Sequence, residues 1–327
     1  MDIALQVAIL IVGFIFLIKG ADWLVEGASS TASNFKVSKL LIGLTIVAFG
    51  TGAPEIAVSI SSLMSGKTDM LFGNVVGSNI INILLLLGIG AMICPIRVKK
   101  DTTRKELPML LLFSTVMIVL FLSSNLAGNS EPNVITRSDG IICLLLFGIF
   151  VYYLFSMAKK GRNSKSEVEK PKWKLGKSLL ITLVGLVGVV IGSQFVVDSA
   201  SNIAAAIGIS DRIIALTIVA IGTSLPELVT TITAARHGEN DLMIGNIVGS
   251  NIFNICIVLG LPVAIYGTIT PSAEGIGIYV DLGMMILAAA LLWLFTLGDR
   301  KITRLEGAVM IMIFLAYYSY LIGGAIA

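Results

Sequence analysis

The sequence predicts an all-α integral membrane protein: ten transmembrane helices arranged as two inverted five-helix repeats. Three observations carry that expectation. The chain is 56% hydrophobic and 13% charged, with a mean hydropathy of +0.95, and runs of about 20 apolar residues, the length that crosses the hydrocarbon core, recur along it. The block 44–83 returns as 216–255 at a constant offset of 172, without a gap and with 21 identical positions of 40. Each half holds five spans, an odd number, so the second half enters the membrane from the opposite side.

The first run, 3–26, opens MDIALQVAIL. With Asp2 and no basic leader it reads as a first span rather than a cleaved signal peptide. Polar and Gly/Pro-rich breaks delimit further runs at 38–63, 70–94, 107–124 and 137–158, then at 176–203, 210–235, 241–266, 277–297 and 303–325. The chain therefore divides into a first repeat, 1–158, a basic linker, 159–175, and a second repeat, 176–327. Of 23 lysines and arginines, 19 follow spans 1, 3, 5, 7 and 9. The positive-inside rule makes that face cytoplasmic, in a plasma or inner membrane with both termini external. The linker segment KKGRNSKSEVEKPKWK reads as an orientation signal and a hinge between halves, with anionic-lipid binding as its other use. It is too short for a regulatory domain and holds no EF-hand loop. Cys94, Cys143 and Cys256 lack metal-ligand spacing and read as small helix-packing residues. His237, the one histidine, falls in a predicted loop as a solvated residue.

The repeated block carries the chemistry. AFGTGAPEIAV (48–58) and AIGTSLPELVT (220–230) each bring glycine, hydroxyl, proline and glutamate into an apolar run. Pro54 cannot donate to the carbonyl of Gly50 and its ring crowds the preceding turn. Backbone freed in hydrocarbon is tolerated only where it is buried in protein or lines a wet cavity. Ala48, Thr51 and Glu55 share a helix face, as do Asn74, Ser78 and Asn82 in the next span. The second half repeats both stripes: Ala220, Thr223 and Glu227, then Asn246, Ser250 and Asn254. These residues offer only hard oxygen donors, a set that suits Ca²⁺ and also Na⁺.

Helix packing is the competing role for small and polar residues in a membrane. Two membrane carboxylates cost about 5–7 kcal/mol to insert, a cost that packing alone does not require. Asn74 and Asn246 fit either a ligand role or the tying-off of broken backbone. Asp22, Glu26 and Asp198 read as helix-end charges, and Asp69 and Asp241 as N-caps.

GTxxPE followed by GNxxGSNIxN, twice, resembles the two alpha repeats (here 44–83 and 216–255) of the calcium:cation antiporter superfamily, in its bacterial/archaeal-type sodium/calcium exchanger branch. The resemblance implies a secondary-active antiporter in which Na⁺ and Ca²⁺ compete for one midplane cluster between spans 2, 3, 7 and 8, by alternating access. It implies that Glu55 and Glu227 hold Ca²⁺ with Thr51 and Thr223, and that Ala48 and Ala220 offer carbonyls. It further implies that Ser78 and Ser250 complete inner and outer Na⁺ positions while Asn82 and Asn254 line a central one. Many exchangers have serine where this chain has Gly52, whose mate Ser224 is present and joins the expected ligand set. Many have aspartate at the position of Asn254, which the potassium-cotransporting branch shares, so no K⁺ requirement is expected. With Glu55 and Glu227 alone ionised the cluster holds two negative charges, which one Ca²⁺ or two Na⁺ neutralise; the family implies three Na⁺.

Two other readings keep the site. The same fold could couple Ca²⁺ or another divalent cation to H⁺; superfamily members of that kind typically show GNxxE, which this chain lacks. A cation channel would use the oxygen stripes as a filter, but the inverted halves and one midplane cluster argue against it. No nucleophile–base pair or phosphate loop points to an enzyme. The expected partners are Ca²⁺, Na⁺ and the bilayer, with no cofactor, nucleic acid or obligate protein partner.

Overall fold

The computed structural model describes residues 3–126, 128, 133–163, 170–207, 220–271 and 277–326. In chain order the helices are α1 (Ile3–Phe35), α2 (Lys39–Thr51), α3 (Ala53–Met64), α4 (Thr68–Ile93), α5 (Leu107–Phe121), α6 (Arg137–Asn163), α7 (Leu175–Ala206), α8 (Ala220–Gly222), α9 (Leu225–Arg236), α10 (Asn240–Tyr266), α11 (Gly277–Leu297) and α12 (Arg304–Ile326). Among the described residues seven helices are long and apolar enough to span a membrane, and α2 with α3 makes an eighth span bent by 43°. Their outer faces carry large exposed apolar side chains such as Phe14, Leu145, Phe155 and Met312, as a lipid-facing surface does.

α1 runs nine residues beyond the expected end. No breaker interrupts its polar tail, and that tail has partners: Ser30 hydrogen-bonds Ser178 at 2.8 Å, and Asn34 Nδ2 donates to the Trp173 carbonyl at 2.8 Å. The helix stops where Lys36 takes φ 55°. α5 is shorter than the expected 107–124 and is entered through a π-helical turn, Thr102–Glu106. Of the expected span 210–235, residues 210–219 lie outside the described ones, and the remainder forms α8 and α9.

Small residues set the packing. A Cβ on Gly20 of α1 would lie 2.7 Å from the Val189 nitrogen of α7, and one on Gly27 would lie 2.6 Å from the Thr182 nitrogen. The same closeness joins α2 to α10, where a Cβ on Gly43 would lie 2.6 Å from the Leu242 carbonyl. These are helix pairs that touch backbone to backbone. The buried core gathers around α2, α4 and α10, with Leu44, Val47, Ile83, Leu84, Ile247 and Ile255 inside it.

Contacts between the halves come in matched pairs. A two-stranded antiparallel ribbon joins β1 (Ile96–Arg97), after α4, to β2 (Lys301–Ile302), before α12. Ile269, after α10, bridges Ile135, before α6. α6 and α12 open with the same capping box: Asp139 Oδ2 accepts from Thr136, and Glu306 Oε2 accepts from Thr303, each through backbone nitrogen and hydroxyl. A carboxyl–tyrosine pair fastens α6 to the turn before α5, Tyr153 with Glu106, and another fastens α12 to α11, Tyr317 with Asp281 at 2.7 Å.

Several charges take other places than the sequence suggested. Asp69 and Asp241 are in the first turns of α4 and α10, whose caps are Lys67 and Glu239; Asp241 pairs with Lys99. Asp22 and Glu26 sit within α1 because that helix continues past them, and they face His237 at 3.6 Å and Lys172 at 2.7 Å. His237 is the C-cap of α9.

Candidate functional site

Both glutamates sit at the start of a helix. Gly52 takes φ −78° and ψ 3° and ends α2, and α3 restarts with Pro54 in its first turn. Ser224, at φ −90° and ψ 7°, caps α9 in the same way, with Pro226 following. Proline is tolerated there because its missing N–H is one that no helix could use. Glu55 and Glu227 thus occupy first turns, where the helix dipole favours negative charge.

The two carboxylates come from opposite halves and lie close enough for their charges to act on one another. Each is 1% exposed. Neither oxygen of Glu55, and not Oε2 of Glu227, finds a hydrogen-bond partner among the described residues. The same holds for Asn82 Oδ1, Asn254 Oδ1, Ser224 Oγ and Ser250 Oγ. Asn246 Nδ2, a donor, is the other unpartnered atom here; buried polar groups are satisfied in the great majority of cases, so this group of atoms, mostly oxygens, points to a place for a ligand. At about 2.5–3.5 kcal/mol per membrane carboxylate, a purely structural pair would incur the cost while three of its four carboxylate oxygens find no partner among the described residues.

The other expected ligand residues lie on α2, on α4 and at the α8–α9 break. Thr51 is fully buried; its hydroxyl lies 3.4 Å from Asn246 Oδ1 and 3.5 Å from the Ala48 carbonyl. The Ala48 carbonyl accepts from the Gly52 N–H at 3.0 Å, so an ion would use its second lone pair. Ser78 is buried on α4, and Thr223 is half-buried between α8 and α9. Ala220 opens α8, but its side chain lies outside the described ones. At Asn82 and Asn254 the helices widen into π turns, Ile81–Leu87 and Asn254–Leu259, which occupy equivalent places in the two halves. Such turns are frequent at functional sites because they re-aim side chains.

Asn74 Nδ2 donates to the Glu55 backbone carbonyl at 3.3 Å and to Ser59 Oγ at 3.2 Å, tying off backbone. Asn246 is buried against Thr51. Two further asparagines were not singled out in sequence, Asn79 and Asn251. They bond the amides of Asn254 and Asn82, at 3.3 and 3.0 Å. The signal was available: both belong to the repeated GSN triplet.

One side of the cluster is closely packed. On α10, a Cβ at Gly245 would meet the Leu40 carbonyl at 2.5 Å and one at Gly249 would meet Ala48 Cβ at 2.7 Å. The side formed by α2 and α10 is sealed by backbone-to-backbone packing.

Comparison with known proteins gives concordant results. A family model described as sodium/calcium exchanger protein matches residues 5–156 and again 177–323. The chain is 38% identical to the inner membrane protein YrbG of Escherichia coli, over 88% of this chain and 89% of that one. It is 32% identical to the sodium/calcium exchanger MaX1 of Methanosarcina acetivorans, over 96% and 98%. The solved structure of the sodium-calcium exchanger NCX_Mj superposes with a TM-score of 0.81 at 31% identity, covering 98% of this chain and 99% of that one.

Proposed function

The chain belongs to the sodium/calcium exchanger protein family, and from that premise we propose that it is a ten-span Ca²⁺/Na⁺ antiporter with two inverted five-helix repeats. It is a multi-pass membrane protein of a transporter family. In the proposed mechanism Glu55 and Glu227 hold Ca²⁺ at the midplane, one carboxylate from each half. Thr51, Thr223, Ser78, Ser224, Ser250, Asn82, Asn254 and the carbonyls of Ala48 and Ala220 complete positions for Ca²⁺ or Na⁺. Residues 1–158 and 176–327 form the two halves, 159–175 the cytoplasmic linker, and both termini are external. No resident cofactor takes part; the ions are substrates.

The single observation that carries the reading is the cluster of buried oxygens without hydrogen-bond donors, centred on Glu55 and Glu227. Seven atoms of that cluster are acceptors or hydroxyls, a donor set for a hard cation rather than a soft one. Antiport follows if the two ions exclude one another: one Ca²⁺ neutralises two carboxylates, as do two Na⁺. Positive charge brought by one ion removes the attraction for the other.

The test is Ca²⁺ uptake into proteoliposomes holding the purified protein. An outward Na⁺ gradient is expected to drive uptake, and Glu227→Gln to abolish it. Uptake driven by a pH gradient alone would overturn Na⁺ as the coupling ion. Flux far above carrier turnover and independent of any counter-ion would overturn antiport.

A further inference from the structure

An amide side chain is nearly symmetric in shape but has an acceptor at one end and two donors at the other. An asparagine at a cation site is useful only if its oxygen faces the ion; turned around, it presents positive hydrogens. Asn82 and Asn254 each have a buried Oδ1 without a partner among the described residues, so some other group must fix which way each amide points.

The partners that fix them cross between the halves. Asn82 Nδ2 donates to Asn251 Oδ1 at 3.0 Å, and Asn254 Nδ2 donates to Asn79 Oδ1 at 3.3 Å. The orienting groups are themselves oriented. Asn251 Nδ2 donates to the backbone carbonyl of Asn79 at 3.4 Å, and Asn79 Nδ2 faces the Met285 sulfur at 3.7 Å. A backbone carbonyl cannot reverse its polarity, so it sets the direction of the chain that runs through Asn251 to Asn82. All four residues are at most 1% exposed.

We infer that Asn79 and Asn251 are positioning residues for ion selectivity, each holding the site amide of the opposite repeat with its oxygen toward the cation. The inference rests on the proposed function. Asn251 serves Asn82, and Asn79 serves Asn254.

The test is a pair of double-mutant cycles on the purified full-length protein, reading half-saturating Ca²⁺ and Na⁺ concentrations by titration calorimetry. Asn251→Leu fills the same space without the acceptor and is expected to raise at least one of these about tenfold, the worth of one buried hydrogen bond. In an Asn82→Asp background either carboxylate oxygen can face the ion, so Asn251→Leu is expected to change binding less than about twofold. In an Asn254→Asp background it keeps its full effect. Asn79→Leu is expected to show the mirror pattern, coupling to Asn254 and not to Asn82. Equal effects in both backgrounds, or none in the parent, would overturn the inference. Asn251→Ala and Asn79→Ala replace any leucine variant that does not elute as a single species. A parent protein that binds Ca²⁺ but not Na⁺ overturns Na⁺ coupling alone, and the cycles are then decided on Ca²⁺. One that binds neither ion overturns the functional reading and this inference together.

Discussion

Among the described residues Glu55 has no hydrogen-bond partner for either carboxylate oxygen, and Glu227 has none for Oε2. Two consequences of opposite sign follow from substituting glutamine. Ca²⁺ affinity should fall about a hundredfold in Glu55→Gln, since a charged partner is lost from a divalent ion in a dry site. The ion-free protein should become more stable, because a buried charge without a partner is removed. Thermal unfolding with and without Ca²⁺ reads both: a higher melting temperature without Ca²⁺ and no rise on adding it. A lower melting temperature without the ion would show that Glu55 stabilises the fold. Gly52 is the other informative position, because many exchangers have serine there. A Cβ on it would lie 3.1 Å from the Ala48 carbonyl and 3.1 Å from Phe253 Cδ1, and Phe253 stacks on Phe49 at 4.7 Å. Gly52→Ser is expected to cost about 1–3 kcal/mol as overpacking, and Phe253→Leu in the same chain to recover much of that. If Phe253→Leu recovers nothing, the ring is not what excludes the side chain.

At the scale of elements, the break between α2 and α3 puts Glu55 in a helix first turn instead of mid-helix. Pro54→Ala supplies a donor for the Gly50 carbonyl and removes the ring that crowds the preceding turn. Helix should then run on toward α3, with a gain in thermal stability and a loss of Ca²⁺ binding of about tenfold or more, as ligands leave position. Unchanged binding would place the cause of the bend in Gly52 alone. The α1–α7 pair behaves differently, since nothing in its contact is ligand-like. Gly20→Val should force apart backbones that would come within 2.7 Å of the new Cβ. It should lower stability by about 1–3 kcal/mol while leaving Ca²⁺ affinity in the remaining folded protein unchanged. The π turns at Ile81–Leu87 and Asn254–Leu259 were not foreseeable from the stripes. Asn74, Ser78 and Asn82 fit an ideal helix face, yet Asn74 bonds the α3 backbone and only the latter two are fully buried. On α10 the stripe loses meaning altogether, because residues 242–256 are buried on every side.

For the whole molecule, orientation and charge movement are the open physical quantities. With Cys94 replaced by serine, Lys67→Cys should react with an impermeant thiol reagent from outside and Lys100→Cys only from inside; both positions are exposed. The reverse pattern would invert the topology assigned from basic loops. Exchange of three Na⁺ for one Ca²⁺ moves one charge per cycle, worth about 2.3 kcal/mol per 100 mV, so flux in sealed vesicles should respond to an imposed potential. Indifference to potential would favour two Na⁺, the number that neutralises two carboxylates. The sequence by itself determined the membrane class, most span positions, the repeat and the residues of the oxygen cluster. These follow from local chemistry: apolar length, a breaker before a carboxylate, and one block written twice at an offset of 172. Only the tertiary structure decided which atoms lack partners and which asparagines orient others. It also decided that α1 continues to Phe35 because its polar tail packs on Trp173 and Ser178. Those properties depend on contacts between residues more than a hundred positions apart, and no spacing along one chain encodes whether an amide nitrogen or its oxygen is left facing the site.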